Sequence, residues 1–280
     1  MYTLYCGDNV QIMRDEIKDE SIDMILTSPP YDILDKELKT IPRQMRSYNG
    51  YDWDFVSVAN ESYRVLKQGG VLVWVVGDVT IDGSETGTPE RQKLYFMDTG
   101  FKCADTMIYE QAGTGAKGSN KTYWQTWEYM YVFSKGDLKT YNLLQDRKNK
   151  SVGGYSYGRG SDKEGINKNK VTKVKTKLFG KRTNIWRYSS NKNKGIHPAP
   201  FPEKLAYDHI ISWSNEGDTI LDMFVGSGTT IKMCEILKRN SIGIDCSQEY
   251  IDDIPKRLIG ITDQLPDDIK EIHAIQQSIF

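Results

Sequence analysis

Short apolar runs alternate along this chain with stretches of helical spacing. Residues 22–27 read as a short buried strand, and 71–76, six apolar residues in a row, as a strand covered on both faces, as in a parallel sheet. A third strand starts at 219–221 and is followed, after a glycine turn, by helical spacing over 231–237; a fourth spans 241–245. The periodicity predicts helices over 10–17 and 55–66, the second closed by Gly69-Gly70 as a C-cap, and further strands over 105–110 and 129–133. Strands that alternate with helices predict an α/β fold, and 280 residues suffice for one large domain with an insert. Residues 32–54 are polar and aperiodic, with Tyr48, Asn49, Gly50, Tyr51 and Trp53; a mobile loop over the site is expected there, the alternative being a surface loop with its aromatics tucked into the core, and another loop is expected over 112–120.

Charge changes this picture once it is resolved along the chain. The formal net charge is only −1, yet Lys139 to Lys194 holds sixteen Lys/Arg against three Asp/Glu, and the remainder 21 against 35. A basic segment inside an acidic chain is an electrostatic footprint for a polyanion. The alternative reading of that segment is a solvated insert. Cys6, Cys103, Cys234 and Cys246 form no Cys-x-x-Cys pair and no zinc spacing, so a reduced cytosolic protein without a metal site is expected. No cysteine follows a proline, so no Pro-Cys nucleophile is present. No signal peptide and no run of about eighteen apolar residues is present, so membrane insertion is not expected.

Two loops carry the candidate chemistry. Ser28-Pro29-Pro30-Tyr31 follows the strand over 22–27. Its prolines fix φ and lack N–H groups, so backbone carbonyls there find few local donors. Such a loop offers carbonyl and hydroxyl oxygens to an exocyclic amino group, with a ring face beside them. The second loop, Asp222-Met223-Phe224-Val225-Gly226-Ser227-Gly228-Thr229-Thr230, joins a strand to a helix, the nucleotide-binding corner of an open α/β sheet. Its dinucleotide fingerprint is incomplete, with Ile231 in the third glycine slot, and no Gly-Lys-Ser/Thr is present to cradle phosphates. Asp245, ending the next strand, can bind two ribose hydroxyls. A nucleoside cofactor without a pyrophosphate suits these features, and S-adenosylmethionine is the leading candidate.

The chain resembles the amino-group DNA methyltransferases of the permuted, β-type arrangement. Ser28 to Tyr31 match that family's catalytic motif, Asp222 to Thr230 its cofactor loop, and Gly7-Asp8 the step that meets the cofactor's adenine. The stretch from His197, Pro198 and Phe201 to Leu205 matches the segment that encloses the methionine end. The matches run from about residue 4 to about residue 257, apart from the middle insert, and the catalytic motif precedes the cofactor loop as in the DNA-modifying group. The resemblance implies a Rossmann-like S-adenosylmethionine-dependent methyltransferase sheet with helices on both faces, plus a basic target-recognition insert. The expected parts are a catalytic half over 1–136, the insert over 137–195, a cofactor-binding half over 196–260 and a tail over 261–280.

It also implies roles. Ser28, Pro29, Pro30 and Tyr31 are the catalytic candidates. Asp8, Thr27, His197, Pro198, Phe201, Asp222, Phe224, Gly226, Ser227, Gly228, Thr229, Thr230 and Asp245 are the cofactor candidates. Lys148, Arg159, Lys173, Lys175, Lys177, Lys181 and Arg182 are the DNA candidates. The two strands that lead to the motifs should be neighbours at the topological switch point. The target amine is buried in duplex DNA, so the base must be flipped out. Hydrogen bonds from the amine to the Ser28 hydroxyl and the Pro29 carbonyl would favour a more tetrahedral nitrogen, with Tyr31 stacked on the base. Ser28 stands where many adenine-N6 enzymes carry Asp or Asn and so resembles the cytosine-N4 group, with adenine-N6 methylation as the alternative. A non-catalytic DNA-binding relative and an RNA-modifying one are further readings. A bacterial or phage-encoded enzyme acting in the cytoplasm is expected. Its expected partner is double-stranded DNA; the resemblance leaves open a second copy of the chain, a cognate restriction endonuclease, and an orphan role without one.

Overall fold

The computed structural model describes residues 1–31, 53–81, 83–112, 121–162, 165–189 and 202–259. The chain opens with β1 (Tyr2–Cys6), α1 (Asn9–Glu16) and β2 (Ile22–Thr27). Next, α2 (Phe55–Val65) runs directly into β3 (Leu66–Val76). The two-residue strands β4 (Thr80–Ile81) and β5 (Ser84–Glu85), α3 (Thr88–Thr99), β6 (Lys102–Ala112) and β7 (Trp127–Ser134) follow. Four strands come next: β8 (Arg147–Lys148), β9 (Tyr155–Asp162), β10 (Gly165–Lys175) and β11 (Phe179–Gly180). The last described elements are β12 (Ile185–Ser189), α4 (Glu203–Trp213), β13 (Thr219–Asp222), α5 (Thr229–Ile236), β14 (Asn240–Asp245) and α6 (Gln248–Leu258).

Eight strands form one sheet in the order β1-β14-β13-β2-β3-β7-β6-β12. Every neighbouring pair is parallel except the two made by β7, which alone runs against the rest. Helices cover both faces, and the alternation along β7 shows how. Tyr129, Tyr131 and Phe133 enter the cluster that holds Trp74 of β3, Val10 and Met13 of α1, Val58 of α2 and Phe96 of α3. Met130 points the other way, where its sulfur lies 3.2 Å from His209 Nε2 of α4. The apolar run at the end of β3 is buried on both sides for this reason. Trp74 is fully buried, its Nε1 donating to Gln92 Oε1 at 2.8 Å, so the large ring contributes burial, worth about 1.5–3 kcal/mol for a side chain of this kind, without an orphaned donor.

The predicted C-cap at Gly69-Gly70 is corrected. Leu66 is already extended (ψ 136°) and ends α2, and both glycines lie inside β3, where its register against β2 shifts. They serve a close approach: a Cβ on Gly70 would stand 2.9 Å from the Asp23 carbonyl oxygen, while the Gly69 N–H donates to the Lys135 carbonyl at 2.6 Å.

The described residues form two compact units. Among the described residues, the first comprises Met1–Asn142 and those from Asn184 to Ile259; the second is built on Leu143–Thr183. β12, inside the expected insert, is a strand of the main sheet: Trp186 and Tyr188 are buried, Trp186 lies 4.6 Å from the His209 ring, and Tyr188 OH donates to Asp208 Oδ2 at 2.6 Å. The second unit carries the antiparallel pairs β9–β10 and β8–β11. Residues 32–52, 113–120 and the expected tail lie outside the described residues. Among the described residues no helix is long and apolar enough to cross a membrane.

Candidate functional site

The order of the sheet creates one reversal of winding. From β2 the chain proceeds outward to β3, and from β13 it proceeds outward to β14 on the other side, with β2 and β13 adjacent and parallel through Ile220–Met24 and Leu221–Ile25. The carboxyl ends of those two strands bound the crevice in which open α/β sheets bind ligands. Both candidate loops leave from that edge, so the expected adjacency of the two strands is observed.

A buried carboxylate ties the loops together. Asp222 Oδ1 accepts from Thr27 Oγ1 of β2 at 2.7 Å, Oδ2 accepts from Thr230 Oγ1 of α5 at 2.6 Å, and the Phe224 N–H adds a bond at 3.2 Å. Asp222 is 1% exposed, and burial outweighs these bonds and pushes its carboxyl up to about 6. Its oxygens therefore organise the glycine turn. Thr229, Thr230 and Asp222 are all buried, and Ser227 O accepts from the Arg257 guanidinium of α6.

Gly226 and Gly228 both have positive φ, +48° and +82°, which suits residues without a Cβ. A Cβ at Gly228 would also meet Ile254 Cγ1 at 2.7 Å, so α6 packs onto the turn itself. Asp245 Oδ2 accepts from the Gly226 N–H and Oδ1 from the Ser247 N–H, each at 2.9 Å, and the Gly7 N–H donates to the Asp245 carbonyl at 2.9 Å. Asp8 caps α1, accepting from the Gln11 N–H at 2.8 Å. Beside it, Asn9 is buried, with Nδ2 bonded to the Met223 carbonyl at 3.3 Å and Oδ1 left without a partner. Gly7, Asp8, Asp222, Phe224, Gly226 and Asp245 thus converge on one edge.

The second loop lies beside them. Pro29 is buried, and Ser28, Pro30 and Tyr31 are half-buried. Tyr31 OH donates to Glu128 Oε2 of β7 at 2.8 Å, and its ring lies against Gly77, just past β3. His197, Pro198 and Phe201 lie outside the described residues.

In the second unit Lys148, Lys173, Lys175, Lys177 and Lys181 are exposed, and the Lys173 ammonium lies 4.0 Å from the Tyr155 ring centroid. Arg159 is on β9. Arg182 is placed differently: its side chain is 16% exposed and its Nε donates to both oxygens of Asp146, at 2.9 and 3.1 Å. That guanidinium is engaged in holding its own unit together.

Several site residues were not singled out from the sequence. Gln111 and Glu128 come from strands 80 and 97 residues beyond the tyrosine they support, and no local signal marks them. Asn9 follows the Gly-Asp step directly and could have been noticed there. Trp53, assigned to the expected loop, is 3% exposed and packs against Phe224 (4.9 Å between centroids) and Trp74 (6.0 Å). Among the described residues no group of three or more His, Cys, Asp or Glu could hold a metal ion.

A nucleoside cofactor fits this donor set. The turn at 226–228 admits backbone close to a ligand, the N-terminus of α5 has no side-chain cap, and the Asp245 carboxylate retains lone pairs after its two amide bonds. The orphaned Asn9 Oδ1 is a further acceptor at the same edge.

Comparison with known proteins agrees. A family model described as "DNA methylase", covering N6 and N4 enzymes, matches residues 22–256. The orphan methyltransferase M.BamHII of Bacillus amyloliquefaciens is 48% identical over 257 residues, covering 88% of this chain and 92% of the relative. The type II methyltransferase M.HpaI of Haemophilus parainfluenzae is 31% identical over 262 residues, covering 91% and 73%. The fold is shared with the PvuII DNA methyltransferase (cytosine-N4-specific), at a TM-score of 0.68 and 20% identity over 99% of this chain and 92% of that one. It is shared also with M1.HpyAVI in its SAM complex, at a TM-score of 0.60 and 20% identity over 92% and 100%.

Proposed function

We propose that this chain, which belongs to the DNA methylase family of N6 and N4 enzymes, methylates the exocyclic N4 of a cytosine extruded from duplex DNA. The methyl donor in this reading is S-adenosylmethionine, whose sulfonium supplies an electrophilic methyl group. The observation that carries the reading is the Thr27–Asp222 bond of 2.7 Å, which joins the catalytic loop and the glycine turn at one sheet edge.

Each side chain then has a task. Asp245 accepts hydrogen bonds from the two ribose hydroxyls, and Asp8 and Phe224 bound the adenine. The N-terminus of α5, which has no side-chain cap, would hold the methionine carboxylate. Asp222, Thr27 and Thr230 hold the glycine turn in shape, with Gly226, Ser227, Gly228 and Thr229 forming the turn. On the other side of the crevice the amine of the flipped base donates to Ser28 Oγ and to the Pro29 carbonyl. Those bonds would pull the nitrogen lone pair out of conjugation with the ring, so that the N–C bond forms as the S–C bond breaks, the thioether leaves and the amine gives up a proton to solvent; Tyr31 stacks on the base. Alignment of the reacting atoms is the main source of rate. Exposed Lys148, Lys173, Lys175, Lys177 and Lys181 neutralise backbone phosphates of duplex DNA.

The choice of cytosine rests on Ser28, which is Ser rather than Asp or Asn, and is supported by the fold shared with a cytosine-N4-specific enzyme. The test is nucleoside mass spectrometry of unmethylated DNA incubated with the protein and S-adenosylmethionine. N4-methylcytosine is expected. N6-methyladenine would overturn the base assignment, and the absence of any methylated nucleoside would overturn the activity.

A further inference from the structure

We propose that Glu128 is a positioning residue for the reaction: with Gln111 and Gly77 it sets the plane of the Tyr31 ring before a base arrives. This inference rests on the reading of Ser28–Tyr31 as the catalytic loop.

The geometry runs outward from the ring in three steps. The Tyr31 phenol donates to Glu128 Oε2 at 2.8 Å, an ordinary length for an O–H···O bond. The other carboxylate oxygen, Oε1, accepts from Gln111 Nε2 at 2.8 Å, so the carboxylate is held from both sides. Gln111 is itself anchored, its backbone N–H donating to the Thr126 carbonyl at 2.7 Å. Glu128 and Gln111 sit on the paired strands β7 and β6, and β7 is the reversed strand. Its reversal brings the start of β7 to the end of β3, and hence to the edge from which the catalytic loop leaves. One antiparallel strand among parallel ones therefore delivers a carboxylate to this tyrosine.

Gly77 supplies the seat. A Cβ there would lie 3.0 Å from Tyr31 Cε2 and 3.5 Å from Glu128 Cγ. The ring is thus located at its edge by a residue without a side chain and at its hydroxyl by the carboxylate. A tyrosine anchored at both points loses the torsional freedom that would otherwise have to be removed when the base stacks. The consequence is preorganisation: the partner face is in place before the amine reaches Ser28.

The test is a double-mutant cycle on single-turnover methyl transfer to duplex DNA, with saturating S-adenosylmethionine and its Kd measured for every variant. Glu128→Leu should lower the rate about tenfold, the size expected for one hydrogen bond to a charged group, with the cofactor Kd unchanged. In a Tyr31→Phe background the same substitution should change the rate by less than about twofold, because the bond it removes is already gone. Glu128→Gln, which keeps an acceptor for the phenol, should recover most of the loss. Effects that multiply in the double variant, or a Glu128→Leu rate equal to wild type, would overturn the inference. If Glu128→Leu fails to fold, Gly77→Ala decides: its methyl displaces the ring while leaving both hydrogen-bonding groups intact. A lowered rate with normal cofactor binding is expected, and an unchanged rate would sink the proposal. Wild type is the control for the underlying reading, since a wild-type chain that methylates no DNA refutes that reading rather than the role of Glu128.

Discussion

Replacing Asp222 with Asn should reshape the pH dependence of stability. Burial raises this carboxyl from 3.8 to about 6 in the folded chain, against the bonds from Thr230, Thr27 and the Phe224 N–H. Between those two values the folded chain holds a proton that the unfolded chain has released. Stability from this group is therefore full below about pH 4 and is lost as the pH rises through 6. A shift of roughly two units corresponds to about 3 kcal/mol. Asparagine is neutral throughout and close in shape, and the Thr27 and Thr230 hydroxyls can each rotate to accept from its Nδ2. The stability of Asp222→Asn relative to wild type should thus rise by about 3 kcal/mol between pH 4 and pH 7.5. Urea unfolding at a series of pH values, with ΔG extrapolated to water, reads this directly. A difference that stays flat across the series would refute the reasoning, because it would mean that the three hydrogen bonds fully offset the burial of the charge.

Two further outcomes follow from the site. Ser28→Ala should lower methyl-transfer turnover on the order of tenfold to a hundredfold with little change in cofactor Kd, measured by titration; near-normal turnover would remove Ser28 from the chemistry. Replacing Lys173, Lys175 and Lys177 together with Gln should make the slope of log K for DNA against log salt shallower by about 0.9 for each phosphate no longer neutralised, and an unchanged slope would place the phosphate-binding cations elsewhere.

What the sequence revealed was chemistry that is local in the chain. The strand predicted over 22–27 is β2 with the same bounds, because a run of six residues carries its own burial pattern. The adjacency of β2 and β13 was also legible, since two motifs that serve one crevice must leave neighbouring strands. Composition misled where a core strand was embedded in a basic stretch. β12 alternates exposed and buried positions, yet its Trp186 and Tyr188 stand among lysines and asparagines that dominate any average. Glycines misled for a related reason: Gly69-Gly70 carries a helix-end signal, and only pairing with β2 turns it into a close approach inside β3.

Charge counting has a comparable limit. It treats Arg182 and Lys175 alike, although Arg182 is engaged by Asp146, 36 residues earlier in the chain, and Lys175 is exposed. The same limit hid the support of the catalytic loop. Tyr31 could be read as a ring beside a flipped base, but the partner that fixes the ring is 97 residues away, on a strand whose direction no local pattern specifies. A motif records which groups meet the substrate. The groups that hold the motif still are chosen by sheet register, and register is a property of the assembled fold.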